Sequence, residues 1–182
     1  MKNQFAKMVK VFDKADRLYV GQTKNGYYIT DGMMGIEMPE VVYRYAFMTE
    51  KPYYKEIEQG KGYSMSMDDR KRLDICPCDA LDIERILNPA DIRELYTLTN
   101  IALNLPLFSV AVLYNDKNAL LVQTKYIDAA LDTGFFMDFE AENKGHSIIV
   151  SRSADNQITF FCCPVRKDAE MSRTLEQIAK VW

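Results

Sequence analysis

The chain is poor in the residues that most often carry chemistry. It has one histidine, His146, and one tryptophan, Trp182, among 182 residues. A lone histidine without a defined carboxylate or nucleophile partner reads as structural rather than as a general base. The G-x-S-x-G elbow, the Walker A loop, the H-E-x-x-H helix and the dinucleotide glycine fingerprint are all missing. Asp68, Asp69, Asp74 and Asp79 lie scattered around arginine and cysteine and read as surface charge, not as a hard-cation site. The expectation is a non-enzymatic protein with no cofactor.

Long apolar runs are also missing. No stretch of about 18 apolar residues is present to span a bilayer, and no apolar signal core follows Met1-Lys2-Asn3-Gln4. Residence in the cytoplasm, away from membranes, is expected. The four cysteines, Cys76, Cys78, Cys162 and Cys163, occur as C-P-C and C-C. Neither is the C-x2-C pair that aims two sulfurs at one tetrahedral ion. Adjacent Cys162 and Cys163 face opposite sides of any strand they share. Reduced thiols with no metal are expected, one of that pair in the core. A net charge of −3 and a pI near 5.3 give no global attraction to nucleic acid, so the distribution of charge must decide.

What is present is pattern. Hydrophobic content of 48% with 27% charged residues suits one soluble, well-buried domain over residues 1–182. From Ala119 to Arg166 the chain reads as strand, short helix and three strands. Ala119, Leu120, Leu121 and Val122 lead to Thr124 as an N-cap, followed by Tyr126, Ile127, Ala130 and Leu131 at helical spacing. Gly134 stands where a helix ends on a left-handed residue. The strands FFMDFEAE, HSIIVSR and QITFFCCPV follow, separated by Asn143-Lys144-Gly145 and Ser153-Ala154-Asp155-Asn156. This arrangement implies a sheet covered on one face.

Upstream, Phe5, Met8, Val9 and Phe12 form an apolar stripe on a helix from Asn3 to Lys14. LYVGQTK, a Lys24-Asn25-Gly26 turn, YYITDG and MGIEMP then form a hairpin region over Leu18–Met38, with Gly21, Gly26, Gly32 and Gly35 as turn or bulge residues.

These segments together resemble a domain of the bacterial polymerase DNA sliding clamp. The likeness rests on Thr124-Lys125-Tyr126-Ile127-Asp128 at the start of the short helix, on Cys163-Pro164-Val165-Arg166 closing the last strand, and on Ile29-Thr30-Asp31-Gly32. It covers roughly half of the chain. It implies an α+β, DNA-clamp-like domain, two helices on antiparallel sheets, in which the helices face the DNA backbone without reading bases. Lys7, Lys10 and Lys14 cluster opposite the apolar stripe of the first helix, and the resemblance makes them the DNA-contact candidates. A solvated lysine face is the plain alternative. The second helix carries Lys125, Asp128 and Asp132, a net acidic face that would repel phosphate. One domain cannot make a ring alone, so a homo-oligomer would be required.

The chain departs from the family over residues 39–105, a large inserted region. VVYRYAFM reads equally as strand or helix, Tyr63, Met65 and Met67 as a strand, and Asn88-Pro89 as the start of a helix through Ile92, Leu95, Leu98, Thr99 and Ala102 to Pro106. Tyr43, Tyr45, Tyr53, Tyr54 and Tyr63 are core candidates first and base-stacking candidates, near Arg70, Lys71 and Arg72, second. FSVAVLYNDKNALLVQ reads as two strands about a turn at Asn115–Asn118. Residues 167–182 fit a C-terminal helix, Ser172 as its N-cap, that packs on its own domain or docks elsewhere. Leu175, Ile178 and Trp182 are its partner-binding candidates. The functional expectation is a clamp-like accessory protein that holds double-stranded DNA or a replication or repair protein. The alternative is a protein-interaction or structural module that keeps the fold without binding DNA.

Overall fold

The computed structural model describes residues 3–67, 73–87, 93–142 and 148–167, together with Met171 and Leu175. Helix α1 (Ala6–Phe12) leads into β1 (Arg17–Gln22), β2 (Tyr27–Thr30) and β3 (Met34–Met38). Helix α2 (Glu40–Tyr43) runs directly into a π-helical turn, Arg44–Met48. Next come β4 (Lys61–Met67), β5 (Leu73–Asp79), α3 (Ile83–Leu87), β6 (Arg93–Asn104), β7 (Ser109–Asn115) and β8 (Asn118–Gln123). Helix α4 (Thr124–Asp132) precedes β9 (Phe139–Glu142), β10 (Ile149–Arg152) and β11 (Thr159–Cys162).

All eleven strands join one antiparallel sheet in the order β5-β4-β1-β2-β3-β11-β10-β9-β6-β7-β8, which is not closed into a barrel. The α+β class is as expected. At its centre β3 meets β11, with Met34 opposite Cys162 and Glu37 opposite Thr159. On either side of this seam lies one helix followed by three strands: α1-β1-β2-β3 and α4-β9-β10-β11. The close approach has a local cause. Gly35 lies opposite Phe161, and a Cβ there would run into the Phe161 ring. Gly21 and Gly35 therefore sit within strands in continuous register, against aromatic rings, and are not the turn or bulge residues expected of them.

Helices α1 and α4 pack against each other, and with α2 and the π-helical turn they supply the core on one face of the sheet. The apolar stripe of α1 explains its place: Phe5, Met8, Val9 and Phe12 are all buried. Each such side chain contributes roughly 1.5–3 kcal/mol on burial. Phe5 reaches the Phe47 and Phe135 rings at centroid distances of 6.0 and 5.7 Å. Tyr43 stacks on Tyr27 at 4.2 Å. Tyr43, Tyr54 and Tyr63 are core residues, as preferred from the sequence, while Tyr45 is exposed. Arg70, Lys71 and Arg72 lie outside the described residues.

The opposite face is not bare, contrary to the one-sided sheet expected. Ile83 and Leu87 of α3 cover Tyr28, Val150 and Phe161, and Leu175 covers Val110, Val112 and Leu121. Both outer edges are blunted. Beyond β8 the Val165 N–H donates to the Leu121 carbonyl at 2.7 Å. On β5, Pro77 lacks the N–H that a further strand would need.

The region 39–105 supplies α2, the π-helical turn, β4, β5, α3 and β6, whose strands extend the common sheet on both sides. One reading within it fails. Leu95, Leu98, Thr99 and Ala102 belong to strand β6, not to a helix; Asn88, Pro89 and Ile92 lie outside the described residues. β6 pairs with β9 on one side and β7 on the other, with a register shift between Leu98 and Ala102. That irregularity lets apolar positions mimic a helical period, and the ladder bonds override propensity. Two boundaries also move. α1 is shorter than Asn3–Lys14, and Thr124 is the first residue of α4, with Gln123 at the cap position and no side-chain cap bond. Gly134 has φ of 75°, the left-handed stop expected of it.

Candidate functional site

Lys7, Lys10 and Lys14 are all exposed along one side of α1 and the turn after it. Burial of Phe5, Met8, Val9 and Phe12 against the sheet forces this, because positions at i, i+3 and i+7 from Lys7 point away from that stripe. Among the described residues no carboxylate pairs with any of the three. The nearest acid in sequence, Asp13, is held elsewhere: Lys51 Nζ lies 2.6 Å from its Oδ2, and the Tyr53 hydroxyl donates to its Oδ1. Burial, reinforced by the bond to Asp13, pushes the Tyr53 phenol up, so it stays a donor. The carboxylate beside the lysine ridge is thus neutralised by groups from residues 51–53. The sequence marked Tyr53 only as a core or base-stacking candidate and did not point to Lys51 at all, since their link to Asp13 spans about forty residues and exists only after folding.

Helix α4 repeats the layout with other charges. Lys125, Asp128 and Asp132 take the same i, i+3, i+7 spacing as Lys7, Lys10 and Lys14, and all are exposed. Tyr126, Ile127, Ala129 and Ala130 form the buried side. Lys125 Nζ sits 4.7 Å from the Tyr126 ring centroid, a cation–π contact that covers part of the one positive charge. The Tyr126 hydroxyl donates to Asp31 at 3.3 Å, tying α4 to the turn before β3. Asp31 also accepts from the N–H groups of Met33 and Met34 at 2.8 and 2.7 Å. The Thr30-Asp31-Gly32 segment therefore closes a turn and braces α4.

Leu175 is helical and 5% exposed, packed on β7 and β8, so its apolar side chain meets its own domain. Ile178, Trp182 and Ser172, like His146, lie outside the described residues. The four cysteines are free thiols; Cys162, the last residue of β11, is fully buried in the core, and Cys163, just past the strand's end, is half-buried. Burial pushes both thiols up, Cys162 the further, so neither is a ready nucleophile. Among the described residues no group of histidine, cysteine or acidic side chains is assembled to hold a metal. No described helix is long and apolar enough to cross a membrane. No protein-family model matches the chain, and no curated protein or solved structure matches it either.

Proposed function

We propose that this protein is a clamp-like, non-enzymatic accessory that lies against the phosphate backbone of double-stranded DNA through α1. One observation carries the reading. Two helix-and-three-strand units flank the β3/β11 seam, their helices pack side by side on one face, and α1 with the turn after it presents three lysines that have no carboxylate partner among the described residues. Unpaired lysines on a rigid helix suit backbone contact without base readout. Encircling a duplex would take several copies of the chain, and a replication or repair protein would be the natural partner. The acidic positions Asp128 and Asp132 favour a second reading, a protein-interaction module that keeps this layout without binding DNA.

Fluorescence anisotropy of a labelled duplex across a salt series separates the two. Backbone contact through α1 gives a log–log slope of about −2 to −3 per chain, lost in the Lys7→Glu/Lys10→Glu/Lys14→Glu variant. A wild-type protein that fails to bind at low salt sinks the DNA reading and leaves the interaction module.

A further inference from the structure

On the sheet face opposite α1 there is a second site, independent of the nucleic-acid reading. Glu37 on β3, Thr159 on β11 and Arg152 on β10 occupy directly paired positions on three neighbouring strands. They line an open cavity of about 450 Å³ with Asn25, Asn156 and Gln157. Two strand spacings put the Glu37 and Arg152 backbones roughly 10 Å apart. An acid and a base thus face one cavity across a threonine.

Among the described residues, both groups keep hydrogen-bonding capacity to spare. Glu37 is only 9% exposed, and its one hydrogen-bond partner among the described residues is the Thr23 hydroxyl, which donates to Oε1 at 3.0 Å. Oε2 has no partner among the described residues. Burial pushes the Glu37 carboxyl above its ordinary value, and the nearby Glu84 carboxylate pushes the same way. Glu84 is itself held by Lys24 at 3.0 Å, so that lysine does not serve Glu37. A cationic donor in the cavity would relieve the buried carboxylate.

Arg152 is fixed from behind. Its Nη1 lies 3.1 Å from Glu140 Oε2, and its Nη2 donates to the Leu87 carbonyl at 3.2 Å. These two bonds use two of the five N–H groups of a guanidinium. Close to it, Arg93 has Nε and Nη1 buried without partners among the described residues. Arg93 and Arg152 are matched in charge by Glu140 and Glu142, so it is the remaining N–H groups of Arg152, which lines the cavity, that suit an anion.

We propose that this cavity binds a small zwitterion of amino-acid or dipeptide size, its ammonium on Glu37 Oε2 and its carboxylate on the Arg152 guanidinium. Thr159 and the amides of Asn25, Asn156 and Gln157 supply hydrogen bonds to the atoms between. Because Thr23 already occupies one Glu37 oxygen, the carboxylate is poorly placed to grip two N–H groups of a planar base. An opposed acid and base fit a ligand with both charges better than a nucleobase.

The test is isothermal titration of the full chain with free L-amino acids and with dialanine. N-acetyl-dialanine, dialanine amide and guanosine serve as comparison probes. The expected result is saturable binding of at least one free zwitterion, with both blocked peptides weakened. Glu37→Gln and Arg152→Met should each weaken binding by about tenfold or more, the loss of one charge-assisted hydrogen bond. Arg152 also holds Glu140 and Leu87, so if Arg152→Met fails to fold, Glu37→Gln and Thr159→Val give the answer. Silence from every zwitterion, equal binding of the blocked peptides, undiminished binding in Glu37→Gln, or preference for guanosine would each overturn the proposal.

Discussion

The two helix-and-three-strand units share a plan and differ in what they present. In both, a helix buries one side on the sheet and exposes residues at i, i+3 and i+7. The α1 unit fills the shared core with Phe5, Met8 and Phe12 and shows three lysines; the α4 unit buries the smaller Ala129 and Ala130 and shows one lysine and two aspartates. The seam between β3 and β11 needs only the buried pattern to be kept, because backbone pairing and apolar burial set the architecture. Exposed positions are free of that demand. A repeated layout is therefore evidence about folding, and the unequal charges are the evidence about function.

The largest test of this comparison is mechanical. Phe12 and Ala130 stand at matching distances from Lys7 and Lys125, yet one is a large ring and the other a methyl group, both fully buried. Phe12→Ala should cost about 3–5 kcal/mol in urea denaturation, whereas Ala130→Gly should cost only about 1 kcal/mol through helix propensity. Equal losses would mean that the two helices carry the core equally. The second test makes the surfaces alike: Asp128→Lys/Asp132→Lys gives α4 the charges of α1. Under the DNA reading, duplex affinity should rise and the salt slope should steepen by about two, at roughly 0.9 per added phosphate contact. An unchanged slope would place α4 away from the backbone.

Two smaller tests address single charges. Lys51→Met frees the Asp13 carboxylate beside the lysine ridge. Because this ion pair is partly exposed, the stability loss should be at most about 1 kcal/mol, with a modest weakening of duplex binding in the same anisotropy assay. Binding that is unaffected would show that Asp13 lies outside the contact. Last, the Glu37 carboxyl is raised chiefly by burial, with the Thr23 bond opposing and Glu84 adding. The folded form thus holds its proton more tightly than the unfolded chain. Stability is then lost as pH climbs from the ordinary glutamate range through the raised value, and Glu37→Gln escapes that loss. Its melting temperature should match wild type near about pH 4 and exceed it near about pH 8, by differential scanning fluorimetry. A gap that is largest in acid would reverse the assigned direction.

Much of the ridge was legible in the sequence, since Phe5, Met8, Val9 and Phe12 already fix which side of the helix Lys7, Lys10 and Lys14 must take. The strands around the seam were legible for the same reason: alternation in Met34, Ile36 and Met38, and again in Ile158, Phe160 and Cys162, marks the buried face. β6 was not. Its bulge shifts Leu98 and Ala102 out of strict alternation, and only pairing with β7 and β9 shows them to be a strand. The acid and base of the cavity were invisible as well, because Glu37 and Arg152 lie more than a hundred residues apart and gain meaning only through Thr159 between them.

By itself the sequence determined the local periods, the helix stop at Gly134 and the sign of charge on each helix, because these depend on neighbours a few residues away. Tertiary structure alone decided that β3 pairs with β11, that Lys51 cancels Asp13, and that Glu37 and Arg152 share a cavity. Those outcomes depend on which distant strands meet, and the free energy of that choice resides in the assembled sheet and its two covered faces, not in any short segment of chain.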